Sequence, residues 1–465
     1  MDGVETRVEA NSRAGYRLLA VLVAATLSIS FVSMSIRSLR THAPTWFDGP
    51  ILGILDSIRS GRIYQLDALR TMPFSVCTHT PLSYLVSYGG YAIWPGFLIL
   101  RLINILATIG CAVLIFIWIT NHTGDRLAGL FSVFSFLLMP AVFQWSQVTR
   151  SPDAFCCLFS LSALIAVDAN WRFRRTIVGV IFALAFLSKQ TAAITLLPTI
   201  LLSEKLHHRR FSECRNWLSV SAIILLPILI WIQWRTHGGF WINVVDANVC
   251  AYSLKTLLYI LQLLCFFWLF IGVCWALSGT ERTTAHVWAV VSILVGLVTC
   301  SKLGAGTMYF FDSSAAAALL AGLALHRTSR AAVILPALLA VCTLTDVMVI
   351  IPLMTNPDLT TGYQTMLTDL RQYRRVLSDE ASISIQTGRP WYWSDPFVLN
   401  ELRKSGKWDP SAIDERLGSQ YFDVVIVRHP TIWSSHTYEV LDREYRLWRA
   451  YPSFHGQYLV YLPAH

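Results

Sequence analysis

Charged residues are scarce in this chain of 465 residues. Only 14% of the residues are Asp, Glu, Lys or Arg, whereas 54% are hydrophobic. A soluble globular domain carries about 25% charged residues. Since so little polar surface cannot cover so large an apolar core, a wholly water-soluble protein is excluded. The composition therefore predicts a polytopic membrane protein with lipid as its main solvent.

The sequence also lacks the common short signatures of metal binding and catalysis. None of the ten cysteines is in a C-x-x-C spacing, and no convincing H-E-x-x-H, Walker, Rossmann or G-x-S-x-G motif is present. Most cysteines lie in apolar runs, where a free thiol behaves as a small hydrophobe. Cys77 and Cys250 fall in predicted outer loops, where they either stay free or pair. No cysteine follows residue 355, so a C-terminal domain must be held by its core alone.

Basic residues outnumber acidic ones, and the formal net charge is +9. They form short clusters between apolar runs instead of lying along one face. This pattern is typical of the cytoplasmic loops of membrane proteins. We therefore expect the lipid bilayer, and no nucleic acid, among the partners of this chain.

Eleven apolar runs are candidate membrane spans, for which about 20 apolar residues are needed. The first, at 16–35, has a basic flank and no clear cleavage site, so we interpret it as an uncleaved anchor. Two runs, on either side of Lys189, are short. The other spans are predicted at about 97–119, 127–145, 153–169, 176–188, 190–203, 216–233, 256–278, 285–302, 311–325 and 331–353.

The distribution of charge supports one topology. If the N-terminus is cytoplasmic, every predicted inner loop is short and basic, as the positive-inside rule requires. An odd number of spans then places the C-terminal tail outside. The basic residues of these inner loops are Arg126, Arg172, Arg174, Arg175, Lys205, Arg209, Arg210, Arg215, Arg282, Arg327 and Arg330.

The first outer loop, 36–91, is too long for a simple connection, so we expect it to have a function. Apolar residues recur at helical spacing between positions 51 and 58, with charged residues between them. This pattern predicts an amphipathic helix lying along the membrane surface. The segment 81–94 is a second interfacial candidate.

The composition changes at about residue 355, where charges and turns replace the apolar runs. We predict strands at 421–427 and 456–462 and helices at 396–405, 411–418 and 436–448. The predicted fold class is thus an α-helical membrane domain, 1–354, followed by a small C-terminal α/β domain, 355–465.

Asp48 is the strongest candidate for catalysis, since it directly precedes the predicted interfacial helix. A carboxylate there can take a proton from an acceptor hydroxyl or help to bind a cation. It can equally be the N-cap of that helix, and both roles can hold at once.

Three further charged residues fall at the predicted outer ends of spans, where charge is costly and invites a functional explanation. Arg150 and Asp153 lie in one turn, which is either a local salt bridge with a helix cap or part of a site. Lys189 interrupts two short spans, and it either snorkels to the interface or binds a phosphate.

The segment 302–312 contains Lys302 and Tyr309 on either side of Gly304 and Gly306. The glycines permit a tight loop and the close approach of a ligand, although a plain turn accounts for them equally well. His79 and Tyr64, in the first outer loop, are weaker candidates for a substrate-binding site.

Taken in order, these motifs resemble those of the GT-C membrane glycosyltransferases. The resemblance is to the bacterial branch related to protein O-mannosyltransferases and lipid A aminoarabinose transferases. It rests on the acidic residue in Trp46–Asp48, the Arg-Ser-Pro-Asp turn at 150–153, Lys189-Gln190, and Lys302–Phe310. Two departures are Gly49, where many relatives carry a second acid, and the inserted Ser151. The resemblance covers nearly the whole chain in order and spacing.

The resemblance implies an inverting transfer of a sugar from a polyprenyl-phosphate donor to an acceptor glycan, lipid or protein. It implies a site on the outer face of a bacterial inner membrane, with Asp48 as the base. The leaving phosphate would be met by cations, which we rank as Lys189, Arg150 and Lys302. Metal use varies in the family and no residue here fixes a metal, so a divalent cation stays open and no other cofactor is expected.

Two other classes of function compete with this interpretation. A transporter or flippase of lipid-linked sugars would bind similar molecules, but such proteins often show an internal repeat, and we see none. A non-catalytic membrane scaffold would use its C-terminal domain to bind partners. Neither class explains the order of the motifs.

Overall fold

The structure is a computed structural model that describes residues 2–41, 49–149, 152–169, 171–206, 211–355, 357–430, 433–453 and 456–464. Sixteen helices precede residue 356 in this part of the chain. They are α1 Asp2–Arg40, α2 Gly49–Arg59, α3 Pro81–Ile93, α4 Phe97–Thr123, α5 Arg126–Leu137, α6 Pro140–Trp145, α7 Pro152–Asp168, α8 Arg174–Ser188, α9 Ala192–Leu206, α10 Phe211–Arg235, α11 Gly239–Val244, α12 Leu254–Leu263, α13 Cys265–Leu277, α14 Thr284–Cys300, α15 Phe311–Arg327 and α16 Ala331–Thr355.

The multi-pass helical architecture predicted from the sequence is confirmed, and a helix lies at each of the eleven predicted spans. By length and composition, five helices of the described chain are suited to cross a membrane, or six if α12 and α13, bent by 64°, form one span. Helices of 15–17 residues, such as α8 and α14, are only about 22–26 Å long. The hydrocarbon core is about 30 Å thick, so the count of eleven spans stays a prediction.

The predicted span at 127–145 is divided, as is the one at 256–278, which forms α12 and α13. The run at 127–145 forms α5 and α6 with a break at Leu138 and Met139, because Pro140 starts a new helix at its first position. Proline has no N–H to continue the preceding helix, but its fixed φ suits a helix start. The break directs Trp145, at the end of α6, towards the loop before α15, where its indole N–H donates to Thr307 Oγ1 at 2.8 Å.

Helix α2 forms where the sequence predicts a helix, but its apolar side does not face lipid. Ile51, Leu52, Ile54 and Leu55 are at most 3% exposed, because they pack against α3, α4 and α11 in one hydrophobic cluster. The helix itself is thus confirmed, and its position along the membrane surface stays a prediction. Burial inside the protein and burial in lipid select the same apolar spacing, so the sequence could not distinguish them.

The chain after residue 356 forms a four-stranded sheet with helices packed around it. Its helices and strands are α17 Pro357–Leu370, β1 Val376–Ser378, α18 Ala381–Gln386, α19 Pro396–Lys404, α20 Ser411–Gly418, β2 Val424–Val427, α21 Ser435–Glu444, β3 Tyr445–Ser453 and β4 Gly456–Pro463. The strand order is β1-β2-β4-β3, with β1 and β2 parallel and the other pairs antiparallel. The predicted small α/β fold is thus confirmed.

One predicted helix ends early. The run at 436–448 is helical only as far as Glu444, and Tyr445 begins strand β3. Strand β3 pairs with β4 from Tyr445 opposite Pro463 to Ser453 opposite Gly456. This antiparallel pairing of two consecutive strands, which local helical spacing does not reveal, overrides the helical pattern.

The first outer loop contributes to the core of the C-terminal part. Phe74 N–H donates to the Tyr392 carbonyl at 2.7 Å, and Ser394 N–H donates to the Phe74 carbonyl at 2.9 Å. Leu69, Phe74 and Val76 belong to the same buried cluster as residues of β1 and β2. The boundary at 354/355 remains a prediction, since the core of the α/β part draws on both sides of it.

Substitution of Gly53 by valine should separate α2 from the C-terminal helices. A Cβ at Gly53 would lie 3.2 Å from both Ala381 Cβ and Ser394 Cβ, so the branched side chain must push them away. We expect a loss of about 1–3 kcal/mol of stability, as for other overpacked cores, measured as a lower unfolding temperature of the purified full chain.

The matched control is Gly89→Val on α3, where an added Cβ meets no atom within 4 Å. This variant should unfold close to the wild-type temperature. Equal behaviour of the two variants would contradict the close packing of α2 against α18.

Candidate active site

A cavity of about 470 Å³ lies where the ends of several helices meet the C-terminal sheet. It brings together five of the residues singled out from the sequence, namely His79, Asp153, Lys189, Lys302 and Tyr309. The remainder of its wall is Pro50, Thr78, Trp145, Pro152, Ala247, Asn248, Cys250, Leu303, Gly304, Ala305, Met308, Asp379, Glu380, Asp395, Pro396, Phe397, Val398 and His429.

Lys189 ends helix α8 and forms an ion pair with Asp153 in the first turn of α7. The Lys189 Nζ–Asp153 Oδ1 distance is 2.5 Å, and the two side chains are 4% and 11% exposed. The ammonium group also lies over the Tyr309 ring, 4.6 Å from its centroid. A buried ammonium without such partners would carry a large desolvation penalty. The pair therefore fixes the Lys189 ammonium group at the cavity wall, with Asp153 offsetting its charge.

The turn after Lys189 is tied to two other loops by amide side chains. Gln190 Nε2 donates to the Thr78 carbonyl at 2.9 Å, and Asn248 Nδ2 donates to the same carbonyl at 2.7 Å. The Asn248 carbonyl accepts a hydrogen bond from Lys302 Nζ at 3.3 Å. These bonds fix Lys189 and Lys302 relative to one another, although the two residues are far apart in sequence. The contribution of Asn248 was not predicted, since a lone Asn in a loop carries no signal.

His79 and Tyr64 have different positions. His79 lines the cavity, whereas the Tyr64 side chain is buried behind it, and its hydroxyl donates to the His79 carbonyl at 2.5 Å. Tyr64 also makes an edge-to-face contact with Phe240. From this position Tyr64 can support the 78–80 loop, but its side chain does not line the cavity in which a ligand would bind.

The loop that carries Lys302 approaches the C-terminal part closely at Gly304. Gly304 has a φ of +77°, a left-handed conformation that glycine adopts at low cost. A Cβ at this position would lie 2.5 Å from the Phe397 ring. Both observations account for glycine here, and the contact closes one side of the cavity.

The C-terminal sheet supplies a wall of the cavity that was not predicted from the sequence. Asp379 and Glu380 directly follow β1, and His429 comes two residues after the end of β2. Since β1 and β2 are neighbouring parallel strands, their carboxyl ends open at the same edge, which is a common place for ligands in α/β sheets. In the sequence, these polar residues could have been recognised as candidates because they come just after short apolar runs.

The ionisable groups of this wall are perturbed by burial. Burial raises the pKa of Asp379 to about 6. Hydrogen bonds from the backbone N–H groups of His429 and Arg428 act in the opposite direction and lower this pKa, but they do not cancel the effect of burial. Burial, with the neighbouring Arg428 charge, lowers the pKa of His429 to about 4. His429 is therefore neutral at pH 7. Glu380 forms a buried ion pair with Arg428 and accepts a hydrogen bond from the Tyr458 hydroxyl at 3.0 Å.

The charges in the cavity are separated in space. The two lysines come from the helix ends of the N-terminal part, together with Asp153, which pairs with Lys189, while the other carboxylates, Asp379, Glu380 and Asp395, come from the C-terminal part. An anionic group is favoured beside the lysines, and hydrogen-bond donors are favoured beside the carboxylates.

Asp48 and Arg150 lie outside the described residues. Their neighbours in sequence, Pro50 and Pro152, both line the cavity. Within the described ranges, no group of three or more His, Cys, Asp or Glu is placed to hold a metal ion.

Comparison with known proteins finds one family model that matches part of the chain. Residues 79–234, a third of the chain, match the family model described as dolichyl-phosphate-mannose-protein mannosyltransferase. No curated protein matches the chain in sequence. The predicted resemblance to the GT-C membrane glycosyltransferases is confirmed at the level of the superfamily.

Solved structures match the fold over nearly the full length. The crystal structure of ArnT from Cupriavidus metallidurans in the apo state aligns with a TM-score of 0.66 and 12% identity, covering 97% of this chain and 98% of that chain. The same protein bound to undecaprenyl phosphate aligns with a TM-score of 0.64 and 12% identity, covering 96% and 98%. The present chain has the ArnT-like GT-C fold.

Gly304→Ala should loosen the closure of the cavity. The substitution adds the strain of a left-handed backbone, about 1–2 kcal/mol, and a clash with Phe397. Gly61→Ala is the matched control, because Gly61 has a φ of +69° but open space around its Cβ position. We expect Gly304→Ala to lower the unfolding temperature of the full chain more than Gly61→Ala does.

The decrease in unfolding temperature caused by Gly304→Ala should be smaller in a chain that also carries Phe397→Ala. Additive effects in this double-mutant cycle would contradict a direct contact between the loop and α19.

Proposed function

We propose that this protein is a GT-C membrane glycosyltransferase that moves a sugar from a polyprenyl-phosphate donor to an acceptor on the outer face of a bacterial inner membrane. The observation that carries the proposal is the cavity in which Lys189, Lys302 and Asp153 converge from three separate helix ends. The family model matched by residues 79–234 is named for a dolichyl-phosphate mannose reaction, and ArnT has been solved with undecaprenyl phosphate. Dolichyl phosphate and undecaprenyl phosphate are both lipid phosphates, and such molecules suit a cationic site beside a membrane.

The lysines are proposed to bind the phosphate of the donor. In the transfer, the bond between the anomeric carbon and the phosphate oxygen breaks, and negative charge grows on the phosphate. Cations held in place beside that oxygen stabilise the transition state more than the ground state. Lys189 is held by Asp153 and Tyr309, so little reorganisation is needed when the charge develops. Arg150 is proposed to join them.

Asp48 is proposed as the general base. The acceptor hydroxyl gives its proton to the Asp48 carboxylate as its oxygen forms a bond to the anomeric carbon, and polyprenyl phosphate leaves from the opposite side. This single displacement inverts the anomeric configuration. The position of Pro50 in the cavity wall, two residues after Asp48, supports the assignment.

The proposed orientation has the N-terminus in the cytoplasm and the C-terminal part outside. The cavity, which the C-terminal part helps to form, would then lie on the outer side of the membrane. Its support is the basic character of the predicted inner loops.

Asp48→Asn should abolish transfer, because the amide keeps the shape of the side chain and cannot take a proton. We expect a loss of at least 100-fold, within the range for a general base. The measurement is mass spectrometry of envelope glycans and lipids from a deletion strain that expresses the wild type or the variant at equal levels. As a control, the deletion strain must lack a product that expression of the wild type restores. Full restoration by Asp48→Asn would contradict the role of Asp48. A non-catalytic scaffold would be unaffected by this substitution.

Lys302→Met should weaken the binding of undecaprenyl phosphate to the purified full chain by about 10-fold or more, since a hydrogen bond to a charged group contributes about 1.5–3 kcal/mol. Lys302 is preferred to Lys189 for this test, because removal of Lys189 would leave Asp153 buried and unpaired at a cost of about 3–5 kcal/mol. Lys255→Met on α12 is the control: Lys255 is exposed and is not among the residues that line the cavity. Equal affinities of the two variants, measured by thermophoresis, would count against a phosphate site at Lys302.

A further inference from the structure

Asp346 is a buried carboxylate inside α16, a helix that is long and apolar enough to cross a membrane. It is 5% exposed, and its neighbour Val347 packs against the apolar cluster of Phe31, Met34 and Phe143. A carboxylate in such a setting is costly, and ionisable residues inside a membrane usually have a function. Asp346 is not among the residues that line the cavity, and the proposed transfer chemistry does not use it.

One amide side chain connects Asp346 to α6. Gln144 Nε2 donates a hydrogen bond to Asp346 Oδ1 at 3.0 Å. The other carboxylate oxygen, Oδ2, is buried and has no hydrogen-bond partner among the described residues. One hydrogen bond from a neutral amide offsets only a small part of the cost of burying a carboxylate. Stability alone therefore does not explain an acid at this position.

The connection continues from Gln144 to the turn before α15. Thr307 Oγ1 donates to Gln144 Oε1 at 2.8 Å and accepts from the Trp145 indole N–H at 2.8 Å. An amide has a donor end and an acceptor end, so the carboxylate at Nε2 fixes which end meets Thr307. The four side chains thus form one ordered chain of hydrogen bonds that runs from α16 to the cavity wall, where Trp145 lies.

Thr307 belongs to the segment that carries the cationic side of the site. It begins the helical turn Thr307–Phe310, in which the centroid of the Tyr309 ring lies 4.6 Å from Lys189 Nζ. Lys302 precedes Thr307 in the same loop, which is closed by a hydrogen bond from Ala305 N–H to the Lys302 carbonyl at 3.1 Å. A shift of Thr307 would therefore move both the ring over Lys189 and the loop of Lys302.

We infer that Asp346 is a positioning residue for the phosphate-binding lysines, which acts through Gln144 and Thr307 without touching the substrate. This inference rests on the proposed function, in which the lysines bind the phosphate of a polyprenyl donor. A buried chain of hydrogen bonds holds one geometry only while each member keeps its partner. Asp346 is the acceptor at the end of this chain, so it fixes the Gln144 amide and, through that amide, the 302–310 segment.

The test compares two substitutions of Asp346 in the purified full chain. Asp346→Asn keeps an oxygen that can accept from Gln144, whereas Asp346→Leu has a similarly branched side chain without an acceptor. The matched control is Thr343→Val, one turn earlier on α16. Thr343 is also buried, and its hydroxyl donates to the Leu339 carbonyl of the same helix.

The first readout is the affinity for undecaprenyl phosphate, measured by thermophoresis. Asp346→Leu should bind about 3- to 10-fold more weakly than wild type, the range for residues that act through a network. Asp346→Asn and Thr343→Val should stay within about twofold of wild type, since both keep the acceptor for Gln144.

The second readout separates the two substrates of the transfer. Envelope fractions of a deletion strain supply the donor lipid and the acceptor. Asp346→Leu should raise the KM for the polyprenyl-phosphate lipid fraction and leave the KM for the acceptor fraction at the wild-type value, because the lysines are proposed to bind the phosphate alone. A residue that only supported the general fold would change both values together.

The third readout is a double-mutant cycle with Thr307→Val, which breaks the same chain nearer to the cavity. Thr307→Val should itself weaken binding, so the test does not depend on the folding of Asp346→Leu. The double variant should bind no more weakly than Thr307→Val alone, since the two residues act through one route. Additive losses would overturn the inference.

The inference is also overturned if either Asp346→Leu or Thr307→Val binds undecaprenyl phosphate as tightly as wild type. Equal impairment of Asp346→Asn and Asp346→Leu would overturn it too, and so would an equal loss in Thr343→Val, which would indicate a general disturbance of α16. Failure of the proposed function looks different, because the wild-type protein itself would then bind no undecaprenyl phosphate and form no product.

Discussion

The ion pair between Lys189 and Asp153 is the constraint on which the arrangement of the site depends. A lysine that is 4% exposed is tolerated only if an opposite charge lies beside it. Two helices must therefore end at the same point, since Lys189 closes α8 and Asp153 opens α7. Both residues line the cavity, so the Lys189 ammonium group is held in position before any substrate arrives.

The surrounding loops are organised around that point by uncharged hydrogen bonds. The Thr78 carbonyl receives the side chains of Gln190 and Asn248, and the Asn248 carbonyl receives Lys302. Four segments from distant parts of the chain thus share one set of bonds. This arrangement gives the cavity rigid walls on the helical side, whereas the opposite side is closed by the contact of Phe397 with Gly304. The site lies between two parts of different construction, one helical and one built on a sheet.

Much of the fold and part of the site could be predicted from the sequence. Long apolar runs specify helices directly, and Lys189, Asp153 and Lys302 were identifiable because a charge at the end of an apolar run is costly and rare. The order of these motifs then led to the superfamily. Features that depend on pairing or packing between elements were not predictable. Strand β3 depends on its pairing with the next strand, β4, the burial of α2 depends on helices far along the chain, and Asp379 joins the cavity wall only because β1 lies beside β2. Asn248 acts through its position alone, for which a single sequence gives no signal.

The shared core of Phe74, Val76 and the strands after Tyr392 has a consequence for biogenesis. The Val76 N–H donates to Ser394 Oγ, 318 positions later in the chain, so the first outer loop cannot reach its final packing until nearly the whole polypeptide has been made. Until then, the apolar side chains of this loop cannot pack against the residues of the C-terminal part that bury them. Completion of the cavity is therefore a late event. A chain cut short before residue 394 would have its membrane helices but an unfinished cavity wall.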